Sequence, residues 1–275
     1  MSQPSSRRRF LTLASLAIPA AFTKLQAQVA GSVKDKAQPK PGTVTESFPA
    51  HPPELAREMV TIAHFNLDRV KELVTARPAL ARAAWDWGFG DWETALGAAS
   101  HMGNRPIAEY LIANGARPSL FSAAMLGQLE VVKAFVAAQP GVQRIAGPHS
   151  IGLMAHAKAG GEAARPVFEF LKTLGDADQP VEAALSAEER TAILGTYVFG
   201  SGPSEQVDVG VQQGHLTWTR KGTMGRRLFH LGDRVFYPGG AAAVRITFKA
   251  ADGAAVMTVS DPDIVLVATR SLSSS

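Results

Sequence analysis

Few residues in this 275-residue chain have the type and spacing that chemistry requires. His64 and His101 fall at equivalent places, each two residues before a turn residue, Asn66 and Gly103. Imidazoles on neighbouring helices can bind a metal or an anion, but metal nitrogens must converge within about 2.1 Å of one ion, and two histidines without a carboxylate make a poor site. They read instead as half-exposed polar positions that a partner could use. His149 and His156 read as structural histidines whose rings donate to backbone carbonyls.

The segment Trp85-Asp86-Trp87-Gly88-Phe89-Gly90-Asp91-Trp92-Glu93 carries three of the four tryptophans. Trp gives a large contact area at low entropic cost, so Trp85, Trp87, Phe89 and Trp92, rimmed by Asp86 and Asp91, form a candidate recognition finger. The other reading packs the same rings onto neighbouring helices, with Gly88 and Gly90 serving the turn.

A serine hydrolase needs its nucleophile on a tight elbow beside a base, and no Gly-x-Ser-x-Gly or Ser-x-x-Lys motif stands in that context. Gly200-Ser201-Gly202 precedes Pro203 and a strand, which is a hairpin connection and not a phosphate loop. The chain has no cysteine, which removes disulfides, thiolate metal sites and a cysteine nucleophile. The expectation is therefore a protein without catalytic residues, metal or cofactor.

These residues sit among elements with a recurring pattern. Between about residues 54 and 180 the turn residues Asn66, Gly103, Gly127 and Gly161 recur, two of their three spacings lying near a period of about 33 residues and one being short. Small residues stand four positions before the turn (Ala99, Ala123, Ala157), and the aliphatic rows Val70/Leu73/Val74, Ile107/Leu111/Ile112 and Val131/Val132/Phe135/Val136 supply a face to bury. No single unit buries its own face, so the units must pack on one another.

Thr94-Ala95-Leu96 and the closing Asn114-Gly115-Ala116 resemble the ankyrin-repeat family. The departures are that no unit keeps the full Thr-Pro-Leu-His tetrapeptide, the first has Asn66 for the turn glycine, and the third loses its hairpin at Gly115-Ala116-Arg117-Pro118. The resemblance implies an all-α helix-pair solenoid of about four units that binds a protein, or a glycan, on its concave face.

From Ile193 the pattern changes to short alternating runs separated by Gln213-Gly214, Gly232-Asp233 and Asp252-Gly253. The runs are Gly195 to Phe199, Gln206 to Val211, His215 to Thr219, Arg227 to Leu231, Arg234 to Tyr237, Val244 to Phe248, Ala255 to Val259 and Ile264 to Ala268. About eight strands of this kind predict a small antiparallel β-barrel or sandwich over residues 186–271. Leu194-Gly195-Thr196-Tyr197 resembles the start of small lipocalin-like barrels, which implies an accessory module with no catalytic residues. Small-ligand binding inside this barrel, or a regulatory role beside a hydrolase, stands as the alternative function. The fold class expected is thus multidomain, α plus β.

Ser6-Arg7-Arg8-Arg9-Phe10-Leu11 and the apolar run to Phe22 resemble a twin-arginine export signal over residues 1–27, followed by a Pro- and Lys-rich linker over 28–53. The implied compartment is the bacterial periplasm or the outside of the cell. The formal charge is +4, from 28 basic and 24 acidic residues. Removing Arg7, Arg8, Arg9 and Lys24 leaves 24 against 24, so basicity gives no argument for nucleic acid. After the leader no run is apolar for long enough to span a membrane.

Overall fold

The computed structural model describes residue 42 and residues 46–178, 182–202, 204–251 and 254–271. The proposed leader and most of the linker lie outside the described residues. Everything below belongs to one compact unit, Pro49–Ser275. Among the described residues no helix is long and apolar enough to cross a membrane.

The helical segment holds four helix pairs: α1 (Pro53–Ile62) with α2 (Leu67–Ala76), α3 (Ala95–His101) with α4 (Arg105–Ala113), α5 (Leu120–Met125) with α6 (Leu129–Ala138), and α7 (Leu153–Ala159) with α8 (Arg165–Thr173). Short polar side chains start several of them. Asn66 accepts from Arg69 N, Thr94 from Gly97 N and Ser119 from Ser122 N, satisfying amides that the first helical turn leaves free. Gly103, Gly127 and Gly161 all stand at positive φ, +68°, +75° and +65°.

These pairs do not make the expected ankyrin solenoid. Helices α3, α5 and α7 have 7, 6 and 7 residues, and 3-10 turns at Pro78–Arg82, Val142–Arg144, Pro148–Ser150 and Gly161–Ala164 interrupt the succession. Only one β-hairpin projects from the described helices, formed by β1 (Ala84–Asp86) and β2 (Trp92–Thr94). The apolar core also divides, into a cluster built mainly on α1 to α4 and a second on α5 to α8. Helices this short bury too little surface for a uniform stack, so irregular turns and a split core take its place. The helical part is a small irregular bundle, and the concave solenoid face goes with the solenoid.

The β module closes into an eight-stranded antiparallel barrel, which decides between barrel and sandwich. A capped helix, α9 (Ala187–Ala192), leads into β3 (Gly195–Val198), β4 (Gln206–Gln212), β5 (His215–Arg220), β6 (Arg226–Gly232), β7 (Val235–Pro238), β8 (Arg245–Ala251), β9 (Ala254–Asp261) and β10 (Ile264–Arg270). Neighbours in sequence pair throughout, and β10 closes the ring on β3 with Thr269 opposite Val198 and Arg270 opposite Tyr197. Val207 and Val209 are buried while Asp208 between them is exposed, as period-two alternation requires. Tyr197, Trp218, Phe236, Ile246, Phe248 and Met257 fill the interior, and the Tyr197 hydroxyl donates to Ile193 O at 2.9 Å.

Candidate functional site: a histidine–carboxylate cluster beside a cleft

The β1–β2 hairpin joins the helices to the barrel. At its tip Phe89, at φ +58°, packs against Trp218 of the barrel core with ring centroids 5.7 Å apart. Arg226 of β6 reaches back, donating from Nη2 to Trp87 O at 2.9 Å and Gly88 O at 3.1 Å, and from Nη1 to Asp91 Oδ2 at 2.9 Å and Gly239 O at 2.7 Å. A guanidinium whose donors meet two carbonyls of a turn, a third carbonyl and a carboxylate fixes that turn in one orientation.

The finger residues are therefore divided between core and surface. Trp85 is half-buried on the first helical core, with the Arg57 guanidinium 5.9 Å from its ring centroid. Asp86 Oδ1 accepts from Gly88 N at 2.7 Å and so shapes the turn. Trp87 is half-buried and donates from Nε1 to Glu93 Oε2 at 2.8 Å. Asp91 is 2% exposed, and Trp92, at 63%, presents its ring to solvent.

Around Glu93, itself fully buried, the structure gathers residues from four places in the chain. His64 Nε2 lies 3.6 Å and His149 Nε2 3.5 Å from Glu93 Oε2, while His101 Nδ1 lies 3.0 Å from Oε1. That last approach is close but is not aligned as a hydrogen bond, so Oε1 and His101 Nδ1 both remain without an aligned partner. His64 donates from Nδ1 toward Val60 O and Thr61 O, each at 3.0 Å. His156 donates from Nδ1 to Gly152 O at 2.8 Å, leaving its buried Nε2 unpartnered. Asp91 grips His149 twice, accepting from its backbone N–H at 2.9 Å and from Nδ1 at 2.7 Å. His149 and Ser150 are consecutive non-glycine residues at φ +58° and +61°, a conformation that costs of order 1–3 kcal/mol each and persists only where surroundings enforce it.

The electrostatics follow from burial and proximity. Burial by itself raises the Asp91 carboxyl, but the hydrogen bonds and charge of His149, with Arg226 beside it, reverse this and hold it below the ordinary range. Burial likewise acts against ionised Glu93, and contacts with His101 and His149 overcome it, bringing the carboxyl down to about 2. Burial opposes a charge on His149, yet Asp91 and Glu93 raise its ring to about 9. Burial lowers the His156 ring. Among the described residues, donor atoms of His64, Glu93 and His149 lie within 4.8 Å of one another, close enough for one cation.

Next to this cluster opens a cleft of about 670 Å³, within the range of small-molecule sites. One wall is the loop Arg144–Gly152, which carries His149 on the other side. The other wall is the outer face of β6 and β7. On β6 Leu228 points into the barrel, so Arg227, Phe229 and Leu231 face outward, and Phe229 is nonetheless 4% exposed because the loop covers it. Phe229 and Tyr237 are opposite one another across the two strands and stack, with centroids 4.9 Å apart and 12° between planes. The Arg227 guanidinium sits 4.6 Å from the Phe229 centroid and is paired with Glu182 at 2.6 Å. Arg144 at the rim is paired with Asp176 at 2.8 Å. Arg245 has only the carbonyls of Ala242 and Val244 as partners among the described residues.

The two histidines singled out in the sequence thus stand together, their rings 4.9 Å apart, and the carboxylate whose absence spoke against a metal lies between them. His149, read in the sequence as donating to a backbone carbonyl, donates instead to the Asp91 carboxylate, while His156 does donate to Gly152 O. Phe229 and Tyr237, suited in the sequence to a ligand inside the barrel, line the outer cleft instead. Glu93, Arg226 and Arg245 carried no signal in the sequence beyond their ordinary places in loops and strands. No protein-family model matches the chain, and no curated protein or solved structure matches it either.

Proposed function

We propose that this chain is a non-enzymatic binding protein that takes a small amphipathic anion into the cleft between the Arg144–Gly152 loop and the outer face of β6 and β7. The observation that carries the reading is the stacked Phe229–Tyr237 pair at the base of the cleft with Arg245, unpaired to any described carboxylate, at its edge. A flat apolar body packs against the half-buried Tyr237 ring, which the covered Phe229 backs, and a carboxylate or sulfonate meets Arg245, whose planar fork suits such groups. Tyr197, Trp218 and Phe236 fill the barrel interior, which supports placing a ligand in this outer cleft over a lumen.

The test is titration of the full chain with anilinonaphthalene sulfonate, an aromatic anion, followed by fluorescence and calorimetry. One saturable site is expected, weakened roughly tenfold by Arg245→Ala and by Tyr237→Ala, since a charge-assisted contact contributes about 1.5–3 kcal/mol. Binding that is absent, or unchanged in both variants, overturns the reading.

Export to the periplasm by the twin-arginine route belongs to the same proposal and rests on Arg7, Arg8 and the apolar run that follows. Retention of an Arg7→Lys/Arg8→Lys chain in the cytoplasm, with wild type exported, supports it; equal export of both refutes it. A second reading, a protein partner held at the hairpin, rests on the exposed ring of Trp92. A partner captured from periplasm by wild type and lost with Trp92→Ala supports that reading, and an unchanged captured set removes it.

A further inference from the structure

We infer that His64, Glu93 and His149 form a binding site for one divalent first-row transition-metal ion, held by the Nε2 atoms of the two rings and the Glu93 carboxylate. The inference starts from where the ring protons must be. A carbonyl oxygen only accepts, so the His64 Nδ1 facing Val60 O and Thr61 O carries hydrogen, and its Nε2 is the atom turned toward Glu93. In His149 the carboxylate of Asp91 takes the Nδ1 hydrogen at 2.7 Å, and Nε2 again is turned toward Glu93. Metal-ligating histidines show this arrangement, the outer nitrogen donating to a carbonyl or carboxylate that fixes the ring and raises its basicity.

The distances match the size of an ion. A tetrahedral site with bonds of about 2.1 Å has ligand-to-ligand edges of roughly 3.4 Å. The two nitrogens stand 3.6 and 3.5 Å from the same Glu93 oxygen, and all three donors lie within 4.8 Å. Direct hydrogen bonds would bring these atoms closer, to about 2.7–3.2 Å. At 3.5–3.6 Å the rings and the carboxylate are loose ion pairs without a short hydrogen bond, a spacing that a shared ion also fits.

The polar accounting points the same way. Glu93 is fully buried, its Oε1 has no aligned partner, and His101 Nδ1 beside it has none. A buried carboxylate needs a cationic partner; without metal a proton on His149 supplies it, and with neutral rings a metal ion takes that place. Trp87 Nε1 on Oε2 steadies the carboxylate from outside, and His101 stands as a positioning residue on the other oxygen. Two imidazoles and one carboxylate favour zinc, cobalt, nickel, iron or manganese over calcium and magnesium, which take all-oxygen cages. Three protein donors leave one coordination position for water or a ligand atom.

The rival is a purely structural cluster in which a proton on His149 balances the two carboxylates. The deciding experiment uses the full chain freed of metal with a chelator. Zinc chloride is titrated by calorimetry, and cobalt chloride by its visible absorption, which is intense for tetrahedral nitrogen and oxygen ligation. One equivalent of each metal should bind, with Trp87 fluorescence quenched by cobalt. His64→Gln, whose ring is partly exposed, should keep the metal-free melting temperature yet bind zinc at least tenfold more weakly and lose the zinc-induced rise in melting temperature. His149→Gln should behave alike in metal binding. His215→Ala, on the exposed start of β5, should change nothing. Absence of binding, or binding unchanged by His64→Gln, or binding abolished by His215→Ala, overturns the inference.

Discussion

Asp91 and Arg226 are 135 residues apart in the chain and meet at 2.9 Å, with 1% and 7% of their side chains exposed. Asp91 stands beside β2 of the hairpin and Arg226 opens β6 of the barrel, so this contact helps tie the helical part to the β module, with those of Arg226 on Trp87 O and Gly88 O, while Asp91 also orients His149. Removing one partner of a buried pair leaves an uncompensated charge, at a cost of about 3–5 kcal/mol. Arg226→Met is therefore expected to destabilise the chain by about 3 kcal/mol in urea unfolding, whereas Arg245→Met, on an exposed arginine, should stay within about 0.5 kcal/mol.

Glycines at positive φ differ in what surrounds them. At Gly103 and Gly127 an added Cβ would overlap the carbonyl oxygens of Ala159 and Ala163, backbone atoms that cannot swing aside. At Gly115, φ +94°, nothing lies within 4 Å of that position. Gly115→Ala should cost only its backbone strain, about 1 kcal/mol, and Gly103→Ala at least about 3 kcal/mol, because strain and overlap add. Thermal unfolding of the two variants checks the order.

The tryptophans of the hairpin separate by burial. Trp92→Ala should change stability by no more than about 0.5 kcal/mol, as surface substitutions do. Trp87→Ala removes both a half-buried ring and the donor to the buried Glu93 carboxylate, and loss of the donor alone costs about 1–3 kcal/mol. Equal effects from the two would contradict the placement of Trp87 against Glu93. Chemical denaturation monitored by circular dichroism, which does not depend on the Trp signal, makes the comparison.

Inside the barrel Tyr197 is fully buried, and its hydroxyl donates to Ile193 O just before β3 begins. Tyr197→Phe keeps the ring against Phe248, 5.6 Å between centroids, and leaves that carbonyl without its donor. The expected loss is about 1 kcal/mol, measured as a shift in the urea midpoint with the slope unchanged.

The eight strands were legible in the sequence because period-two alternation is local: Val207, Asp208 and Val209 declare their faces without reference to any other part of the chain. The helix pairs were legible through the recurring turn residues and the aliphatic rows Val70/Leu73/Val74 and Ile107/Leu111, whereas Val131 and Phe135 of the third row stay exposed and the caps at Asn66, Thr94 and Ser119 showed only in the structure. The solenoid was not legible, because stacking depends on helix length and on how two cores merge. The short α3, α5 and α7 and the intervening 3-10 turns decide that only in three dimensions.

What the sequence by itself determined is the set of local conformations, the absence of cysteine chemistry and the presence of two histidines at matching places. Tertiary structure decided what those histidines face. Glu93 lies between His64 and His101 only because the hairpin folds back across α1 and α3, and His149 joins them only because Asp91 holds its backbone and ring 58 residues away in the chain. Closure of the barrel likewise needed β10 to meet β3, and the cleft needed the Arg144–Gly152 loop to lie against β6 and β7. Convergence of side chains from distant segments is fixed by packing and by buried polar pairing, which no local pattern encodes.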